Sequence, residues 1–330
     1  MEERVSLSII IPAYNAERYV DRCFESVYND GLPEEHFEVI AINDGSKDNT
    51  IEMLCNWRDR HKNITLIDKE NEGVSVARNA GIDAAKGDYV LFLDVDDELV
   101  SGALTKVNNY LEEHEPMDML VTRQMRNDGE REWMAPAPTL EEHKVYDGVE
   151  AYKKQYVRTN AGGGICRRCF LKKYNLIFPA GVKNAEDTVF FGHLQVYAQS
   201  IVYNNLPLYR INEGDESASR NPDYTKLAKS HVITMRAVAE VKNSLRGTRE
   251  QKAIFDYVVY QLLANTIADF VASEDLKYKD FKEQINIRGL LPLDVNNMYI
   301  MKGKARLMNF SVLLFYLLSW TKRNIAGKAI

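Results

Sequence analysis

Short apolar runs alternate with amphipathic helical patterns through the first 125 residues, and this alternation limits the possible folds more than any other feature. The runs that predict strands are Leu7–Ile11, Phe37–Ile42, Ile64–Ile67, Tyr89–Leu93 and Met119–Thr122. The patterns that predict helices lie near Arg18–Tyr28, Thr50–Arg60, Val74–Ala85 and Ser101–Glu113. Strands that alternate with helices require crossover connections, so we predict an α/β fold with a mostly parallel sheet flanked by helices. Such sheets bind ligands at the carboxyl ends of their strands, where we expect the site.

Two later regions depart from this pattern. Residues 126–221 are irregular, with Pro136, Pro138 and the run Gly162–Gly164 among short strand and helix signals. From 222 to 330 the pattern becomes helical and ends in a basic and apolar tail. We therefore predict two halves of one α/β domain, 1–125 and 126–221, followed by a helical C-terminal region, 222–330.

The cysteine content and the first residues predict a cytoplasmic protein. Four cysteines in 330 residues are too few for a disulfide framework, so a reducing compartment is expected. The chain opens with Met1-Glu2-Glu3-Arg4 and enters its first strand directly, without the pattern of a secretory signal.

Charge is unevenly distributed along the chain. Residues 295–330 contain six basic residues and no acidic one, so this tail has a charge of +6. Because the whole chain has a net charge of −6, residues 1–294 carry −12. An acidic body does not bind a nucleic-acid backbone, and no nucleic-acid partner is expected. Within the tail, Leu307–Leu318 is too short to span a bilayer. It forms either a core helix or a helix that contacts an anionic membrane peripherally through 302–328, and we favour the membrane.

The turn after the first strand argues against two common nucleotide-binding classes. Dinucleotide-binding and P-loop enzymes need glycines in this turn so that the backbone can approach phosphate. Here the turn reads Pro12-Ala13-Tyr14-Asn15-Ala16, with no glycine and no Lys-Ser/Thr pair. A nucleotidyltransferase is disfavoured for a related reason, because its glycine-rich basic first loop is missing.

Three carboxylates crowd the end of the fourth predicted strand. Asp94, Asp96 and Asp97 follow an apolar run, and their charges repel one another unless a cation lies between them. A hard divalent ion held by one or two carboxylates completes its shell with water and phosphate. The sequence therefore predicts a Mn²⁺ or Mg²⁺ site. The alternative, acidic residues at a helix N-terminus, accounts for one carboxylate better than for three.

Taken together, four loops resemble glycosyltransferase family 2, the inverting nucleotide-sugar enzymes of the Rossmann-like GT-A fold. The loops begin at Pro12, Asn43, Asn71 and Asp94, and they include Asn43-Asp44-Gly45-Ser46 and Asn71-Glu72-Gly73 through Arg78-Asn79-Ala80-Gly81. The resemblance covers about the first 100 residues strongly. It returns at Phe178-Pro179 and at Ala185-Glu186-Asp187-Thr188, which look like the acceptor-side motif of members that build polysaccharides.

The resemblance implies roles for individual donor-side residues. Asp96 would be the chief metal ligand, Asp94 would contact the ribose or the ion, and Asp97 would assist. A UDP-sugar is the implied donor, and the residues implied to bind it are Pro12, Tyr14 and Asn15 at the base and ribose, Asp44 at uracil, and Arg78 at nucleotide or phosphate. From the residues alone, the simpler interpretation of Asp44 is a turn-forming aspartate, and that of Arg78 is a solvated helix arginine.

Acceptor-side roles rest on the same resemblance. Asp187, with Glu186 nearby, would take the proton of an acceptor hydroxyl, whereas the simpler interpretation is that Asp187 or Thr188 caps a helix. The segment Tyr209-Arg210 followed by Ser217-Ala218-Ser219 resembles the family's closing segment. Arg210 there is either a pyrophosphate ligand or a surface arginine.

The function implied is an inverting glycosyltransferase of cell-surface polysaccharide synthesis, with a saccharide or lipid-linked saccharide as acceptor. It would work in the cytoplasm or at the cytoplasmic face of the inner membrane. The alternative of another class is a non-catalytic nucleotide-sugar-binding scaffold of an assembly complex. Mere binding needs no base, so the Asp187 motif favours the enzyme.

Overall fold

The computed structural model describes residues 5–213, 223–299 and 301–326. These residues form two compact units. The first unit contains the described residues up to Asp147, together with Asn160–Gly181 and the described residues that follow Ala198 as far as Glu213. The second contains Gly148–Thr159, Val182–Tyr197 and the described residues from Asp223 onward.

The first unit is built on one sheet. Its described strands are β1 (Leu7–Ala13), β2 (Phe37–Asp44), β3 (Ile64–Lys69), β4 (Tyr89–Phe92), β5 (Glu98–Leu99), β6 (Met119–Asn127), β7 (Glu132–Met134), β8 (Val145–Tyr146), β9 (Gly164–Arg167) and β10 (Ile201–Asn212). The strand order is β3-β2-β1-β4-β9-β6-β10-β5, with β7 on β6 and β8 on β10. Neighbours among β3, β2, β1 and β4 pair in parallel, and so do β6 and β10.

Four of the five described α-helices of this unit lie where the apolar spacing predicted them, and Arg168–Lys173 was not predicted. The five helices are α1 (Val20–Tyr28), α2 (Thr50–Arg60), α3 (Val74–Ala84), α4 (Ala103–Glu113) and α6 (Arg168–Lys173). The five predicted strands and the first four helices agree with the observed bounds to within a few residues. β1 and β2 are buried along their whole length, as expected for central strands covered on both faces. The predicted α/β architecture is confirmed.

The antiparallel strand β9 was not predicted. It lies between β4 and β6 and runs antiparallel to both. The glycines before it serve close packing: a Cβ on Gly162 would lie 2.9 Å from the Tyr209 ring, and Gly163 has a φ of +75°. Periodicity could not find so short a strand, because its first three residues are buried in succession, without alternation, in a glycine-rich region.

The second unit is helical among its described residues. Its helices are α5 (Gly148–Lys153), α7 (Glu186–Tyr197), α8 (Tyr224–Ser244), α9 (Arg249–Ala272), α10 (Tyr278–Gln284), α11 (Ile287–Leu290), α12 (Lys302–Phe310) and α13 (Val312–Ala326). The long helix α9 carries the core, with twelve buried residues. It begins with a capping box in which the Thr248 side chain accepts from Gln251 N and the Gln251 side chain accepts from Thr248 N.

The grouping of segments differs from the sequence-based division at 125 and 221. Gly148–Thr159 and Val182–Tyr197 belong with the C-terminal helices, although both fall inside the predicted second half of the α/β domain. Buried side chains explain this: Tyr152, Val189 and Val196 share one apolar core with residues of α8 and α9. Segment membership depends on which core a side chain joins, and chain order does not reveal that.

Candidate active site

The first loop of the sheet edge presents an aromatic side chain to solvent. Pro12 is buried at the end of β1, whereas Tyr14 is 49% exposed. Asn15 follows with a positive φ of 49°, and its Oδ1 accepts from Lys47 N at 2.8 Å. Asn15 N in turn donates to Ser46 Oγ at 3.0 Å. These two bonds tie the loop after β1 to the loop after β2 and fix the backbone beside Tyr14.

Asp44 ends β2 and is only 3% exposed. Its Oδ1 accepts from Lys69 Nζ at 2.8 Å and from Glu72 N at 3.0 Å, and its Oδ2 accepts from Gly73 N at 2.8 Å. Asp44 therefore holds the start of the loop that leads into α3. A carboxylate offers about four acceptor positions, so one on Oδ2 remains for a ligand N–H.

Gly45, directly after Asp44, packs against the same loop. It has a φ of +71°, and a Cβ there would lie 2.6 Å from Asn71 N. Any larger residue would strain the backbone and separate the two loops. The turn-forming role that the sequence allowed for this dipeptide and a ligand-facing role for Asp44 are thus compatible.

Arg78 on α3 contacts the loop that follows β4. This loop carries Asp94, Asp96 and Asp97, and we call it the aspartate loop. Its Nη2 donates to Asp94 Oδ1 at 2.7 Å, and the guanidinium carbon lies 5.1 Å from the centre of the Phe178 ring. Arg78 is 4% exposed, while the Asp94 side chain is 37% exposed. The solvated-arginine interpretation is therefore wrong, because the charge is buried between an aromatic face and a carboxylate.

A reciprocal pair of amide hydrogen bonds places Phe178. Asn79 Nδ2 donates to Phe178 O, and Phe178 N donates to Asn79 Oδ1, both at 2.8 Å. The Phe178 ring is fully buried and meets Phe92 edge-on with 5.0 Å between ring centres. Asn79 thus fixes the aromatic surface on which Arg78 rests.

Three carboxylates of the aspartate loop occupy different environments. Asp97 is buried, its Oδ1 accepts from Asn212 N at 2.9 Å, and it also accepts from the Tyr209 hydroxyl. Burial, with the Asp96 charge added, raises the pKa of Asp97 to about 7. Asp96 reaches the surface, yet partial desolvation and the neighbouring Asp94 charge raise its pKa as well. Desolvation is the main cause of both raised pKa values, and the neighbouring like charges add to it.

The three carboxylates differ in how far they remain available to a cation. Among the described residues, no group of three His, Cys, Asp or Glu side chains is arranged to hold a metal ion. Asp97 is engaged by Tyr209 and Asn212, and one oxygen of Asp94 is engaged by Arg78. Asp96 and the second oxygen of Asp94 are hard ligands of the kind that Mn²⁺ and Mg²⁺ take, with water and phosphate completing the shell.

Arg210 lies at the end of β10 and is paired with acidic residues. Its Nε lies 3.0 Å from Glu132 Oε1, and its Nη1 lies 3.7 Å from Glu98 Oε1. The Arg210 side chain is 24% exposed. The segment Ser217-Ala218-Ser219, which shares its predicted role, lies outside the described residues.

Glu186 and Asp187 lie in the second unit, at the first turn of α7. Asp187 Oδ1 accepts from Thr188 N at 2.8 Å, and Thr188 Oγ1 donates to Thr159 O at 2.9 Å. Ala185, just before the helix, has a positive φ of 65°. This contact supports the helix-capping interpretation in part, because one oxygen of Asp187 accepts from a backbone N–H of the first turn.

Several residues that shape the site were not singled out for these roles by the sequence. They are Lys69, Asn79, Tyr209 and Arg22, whose Nη2 donates to Asp96 O at 2.5 Å. The Tyr209 hydroxyl also accepts from Asp94 N at 3.1 Å, although the two residues are 115 positions apart. Such contacts depend on strand order, which a single sequence does not state.

Comparison with known proteins adds to this geometry. Residues 8–173, about half of the chain, match the family described as glycosyl transferase family 2. The chain is 29% identical over 199 residues to the poly(ribitol-phosphate) beta-glucosyltransferase of Bacillus spizizenii, which covers 60% of this chain and 30% of that protein. It is also 29% identical over 232 residues to the uncharacterized glycosyltransferase YibD of Escherichia coli, covering 67% and 65%. The chain thus spans less than two thirds of these relatives.

A solved structure shares the fold. The crystal structure of S. aureus TarS 1–349 in complex with UDP-GlcNAc superposes with a TM-score of 0.67 at 20% identity, over 98% of this chain and 92% of that one. TarS is described as a poly(ribitol-phosphate) beta-N-acetylglucosaminyltransferase. This likeness confirms the GT-A fold that the loops predicted.

Proposed function

This chain belongs to glycosyl transferase family 2, and from that premise we propose that it is a metal-dependent inverting glycosyltransferase. Its donor is a UDP-sugar, and its acceptor is a saccharide or lipid-linked saccharide of a growing cell-surface polysaccharide. The observation that carries the proposal is the 2.7 Å contact of Arg78 with Asp94. It brings a buried guanidinium to the aspartate loop at the sheet edge where such folds bind ligands.

The base and ribose of the donor are bound by residues at the ends of β1 and β2. Tyr14, half exposed, stacks on the base, while Pro12 and Asn15 shape the base and ribose pocket. Asp44 accepts the uracil N–H at the remaining position of Oδ2. Because Asp44 also holds Gly73 through that oxygen, base binding and loop order are coupled.

The diphosphate lies toward Arg78 and the aspartate loop. Asp96 and Asp94 are the residues that would hold Mn²⁺ or Mg²⁺, with Asp97 supporting the loop from behind. When bound, such an ion neutralises charge on the departing diphosphate. Arg210 could add positive charge only by leaving Glu132 and Glu98, so we place it second to Arg78.

Asp187 acts as the base. It takes the proton of the acceptor hydroxyl while the hydroxyl oxygen bonds to the anomeric carbon of the donor. The bond from that carbon to the diphosphate oxygen breaks, and its electron pair leaves with UDP. Attack from the side opposite the leaving group inverts the anomeric centre. Glu186, buried beside Asp187, orients the first turn of α7.

The names of the relatives support the acceptor class, and the free cysteines support the place of reaction. Relatives named for poly(ribitol-phosphate) glycosylation support a cell-surface polymer or its precursor as acceptor. All four cysteines are free thiols, which favours the cytoplasm. We place the reaction at the cytoplasmic face of the inner membrane, where lipid-linked acceptors are extended.

A donor panel tests the proposal. The protein is screened by thermal shift and calorimetry against nucleotide sugars of several bases, with and without Mn²⁺, and hydrolysis of each bound donor is then followed. We expect a UDP-sugar to bind with Mn²⁺ and to be hydrolysed slowly without acceptor. The Asp59→Asn variant changes an exposed carboxylate on α2, away from the proposed site. It should bind and hydrolyse the same donor as the wild type.

Two results would count against the proposal in different ways. If no nucleotide sugar binds with metal present, the donor assignment is wrong. If a UDP-sugar binds but is neither hydrolysed nor transferred to any saccharide acceptor, the non-catalytic scaffold is the better description.

A further inference from the structure

The last described helix, α13, exposes a continuous apolar surface. Positions 313, 314, 317 and 318 fall on one side of a helix with 3.6 residues per turn, and position 320 extends that side. Each of these side chains is large, apolar and between 38% and 52% exposed: Leu313, Leu314, Leu317, Leu318 and Trp320. We call these five residues the α13 stripe. Isolated exposed apolar residues are ordinary, but a contiguous patch marks an interaction surface.

The opposite side of α13 is packed, so the direction of the stripe is determined. Val312 and Tyr316 are 7% and 6% exposed. The Tyr316 ring meets Tyr278 edge-on with 5.0 Å between ring centres, and Phe281 lies next to it. Turning the helix to bury the stripe would expose Tyr316, so the apolar stripe is a property of the folded unit.

Cations accompany the stripe. Lys302, Lys304 and Arg306 on α12 are exposed, and Lys322 is exposed two residues beyond the end of the stripe. The residues from 295 to the end contain no Asp or Glu. The two helices therefore combine an apolar surface with exposed positive charge.

We propose that the α13 stripe and the neighbouring cations bind the surface of an anionic lipid bilayer. An interfacial helix inserts its apolar side at the boundary of headgroups and acyl chains, while Lys and Arg contact anionic headgroups. No helix among the described residues meets the length and hydropathy needed to cross a bilayer. Contact by α13 is therefore peripheral. This surface goes beyond the proposed transferase function, because no step of the transfer uses it.

A second copy of the chain is a weaker occupant. In a symmetric dimer the same patch faces itself, so the cations of α12 and Lys322 would approach their own counterparts without any acidic residue of 295–330 between them. Anionic lipid neutralises the same charges. Charge complementarity thus selects the bilayer.

The test measures partition of the full chain onto vesicles. Phosphatidylcholine vesicles are compared with vesicles that also contain phosphatidylglycerol, at low and high salt. We expect binding only to the anionic vesicles, weakened by salt. The double variant Leu317→Glu/Trp320→Glu should reduce partition at least about tenfold, and so should Lys302→Gln/Lys304→Gln/Arg306→Gln. The control Ile233→Glu changes an apolar residue of α8 that is 44% exposed and should partition like the wild type.

Circular dichroism and thermal melting check that each variant folds. Bromolipids should quench part of the tryptophan fluorescence of the wild type, and the Trp320→Phe variant should lose that part, because Trp57 and Trp133 emit as well. Binding of wild type and both variants to the same extent would overturn the proposal. So would a dimer in sedimentation that Leu317→Glu/Trp320→Glu abolishes, with no partition onto anionic vesicles. Transferase activity enters neither result, so this proposal and the donor assignment fail separately.

Discussion

The Arg78 guanidinium donates to Asp94 Oδ1 at 2.7 Å and joins the helix that follows β3 to the loop that follows β4. Arg78 is almost fully buried, whereas Asp94 remains partly exposed. The pair thus anchors the loop after β4 to α3 through one carboxylate oxygen of Asp94.

Replacement of Arg78 by alanine should lower both stability and donor affinity. The variant loses the Asp94 contact and the stacking on Phe178, so we expect a loss of about 1–3 kcal/mol in the free energy of unfolding. Affinity for UDP should fall at least about tenfold. Urea unfolding and calorimetry measure the two effects. Arg60→Ala removes a surface arginine stacked on Trp57 and is the control. Unchanged UDP affinity in Arg78→Ala would remove Arg78 from the donor site.

Replacement of Asp96 by asparagine should separate stability from function. The raised pKa of Asp96 shows that its charge is unfavourable in the folded protein, so the neutral side chain should raise the Tm measured without metal. Mn²⁺-dependent UDP binding should be lost, and turnover should fall by roughly 100-fold or more. Asp59→Asn controls for the change of charge. Retention of the same Mn²⁺ dependence in Asp96→Asn would exclude Asp96 as a ligand.

Replacement of Tyr209 by phenylalanine should loosen the aspartate loop. The hydroxyl accepts from Asp94 N and donates to Asp97, and the residue is 1% exposed. Leaving these groups without their partner should cost about 1–3 kcal/mol and weaken Mn²⁺-dependent UDP binding. Tyr203→Phe on the same strand removes a hydroxyl that donates to Asn205 and should leave UDP binding intact. Equal UDP binding by both variants would show that the loop does not depend on Tyr209.

Replacement of Asp187 by asparagine should abolish turnover and spare the donor site. Loss of a positioned base reduces rates by about 10²–10⁴-fold, while Asn can still accept the Thr188 N–H. Initial-rate measurements with an acceptor and calorimetry with UDP distinguish the two effects. Asp223→Asn alters another helix N-terminus, that of α8, and is the matched control. Full activity of Asp187→Asn would refute its role as base.

Stability should decrease in mild acid because of His193. Burial near Tyr197 and Phe255 lowers the pKa of His193 to about 4 from the ordinary 6.5. Below pH 6.5 the unfolded chain takes up a proton that the folded chain refuses, so stability falls as pH drops toward 4. Between pH 7.5 and 5 this amounts to roughly 2 kcal/mol.

Urea unfolding at both pH values measures the effect of His193. His193→Gln should show a pH dependence smaller than the wild type by that amount, and His114→Gln, changed at an exposed ring, should not differ from the wild type. An identical pH dependence in His193→Gln and wild type would show that another group is responsible.

Local features of the sequence were enough to predict five strands and four helices of the first unit and the family resemblance of its loops. Thr50–Arg60 was predicted with its observed bounds, because one buried face repeats at helical spacing. Asp94, Asp96 and Asp97 were placed after a strand because apolar runs end where polar ligand-binding residues begin. These signals are local, so a single chain contains them.

The tertiary structure alone decided which partner each site residue has. Asp97 turned inward to Asn212 and Tyr209, Asp44 joined Lys69 and the loop before α3, and Gly148–Thr159 joined the helical unit. It also decided that α13 buries Tyr316 and exposes Trp320. The physical reason is that these contacts join segments distant in the chain, and their energies depend on strand order and shared cores. Periodicity records only which residues prefer burial, not which distant residues will surround them.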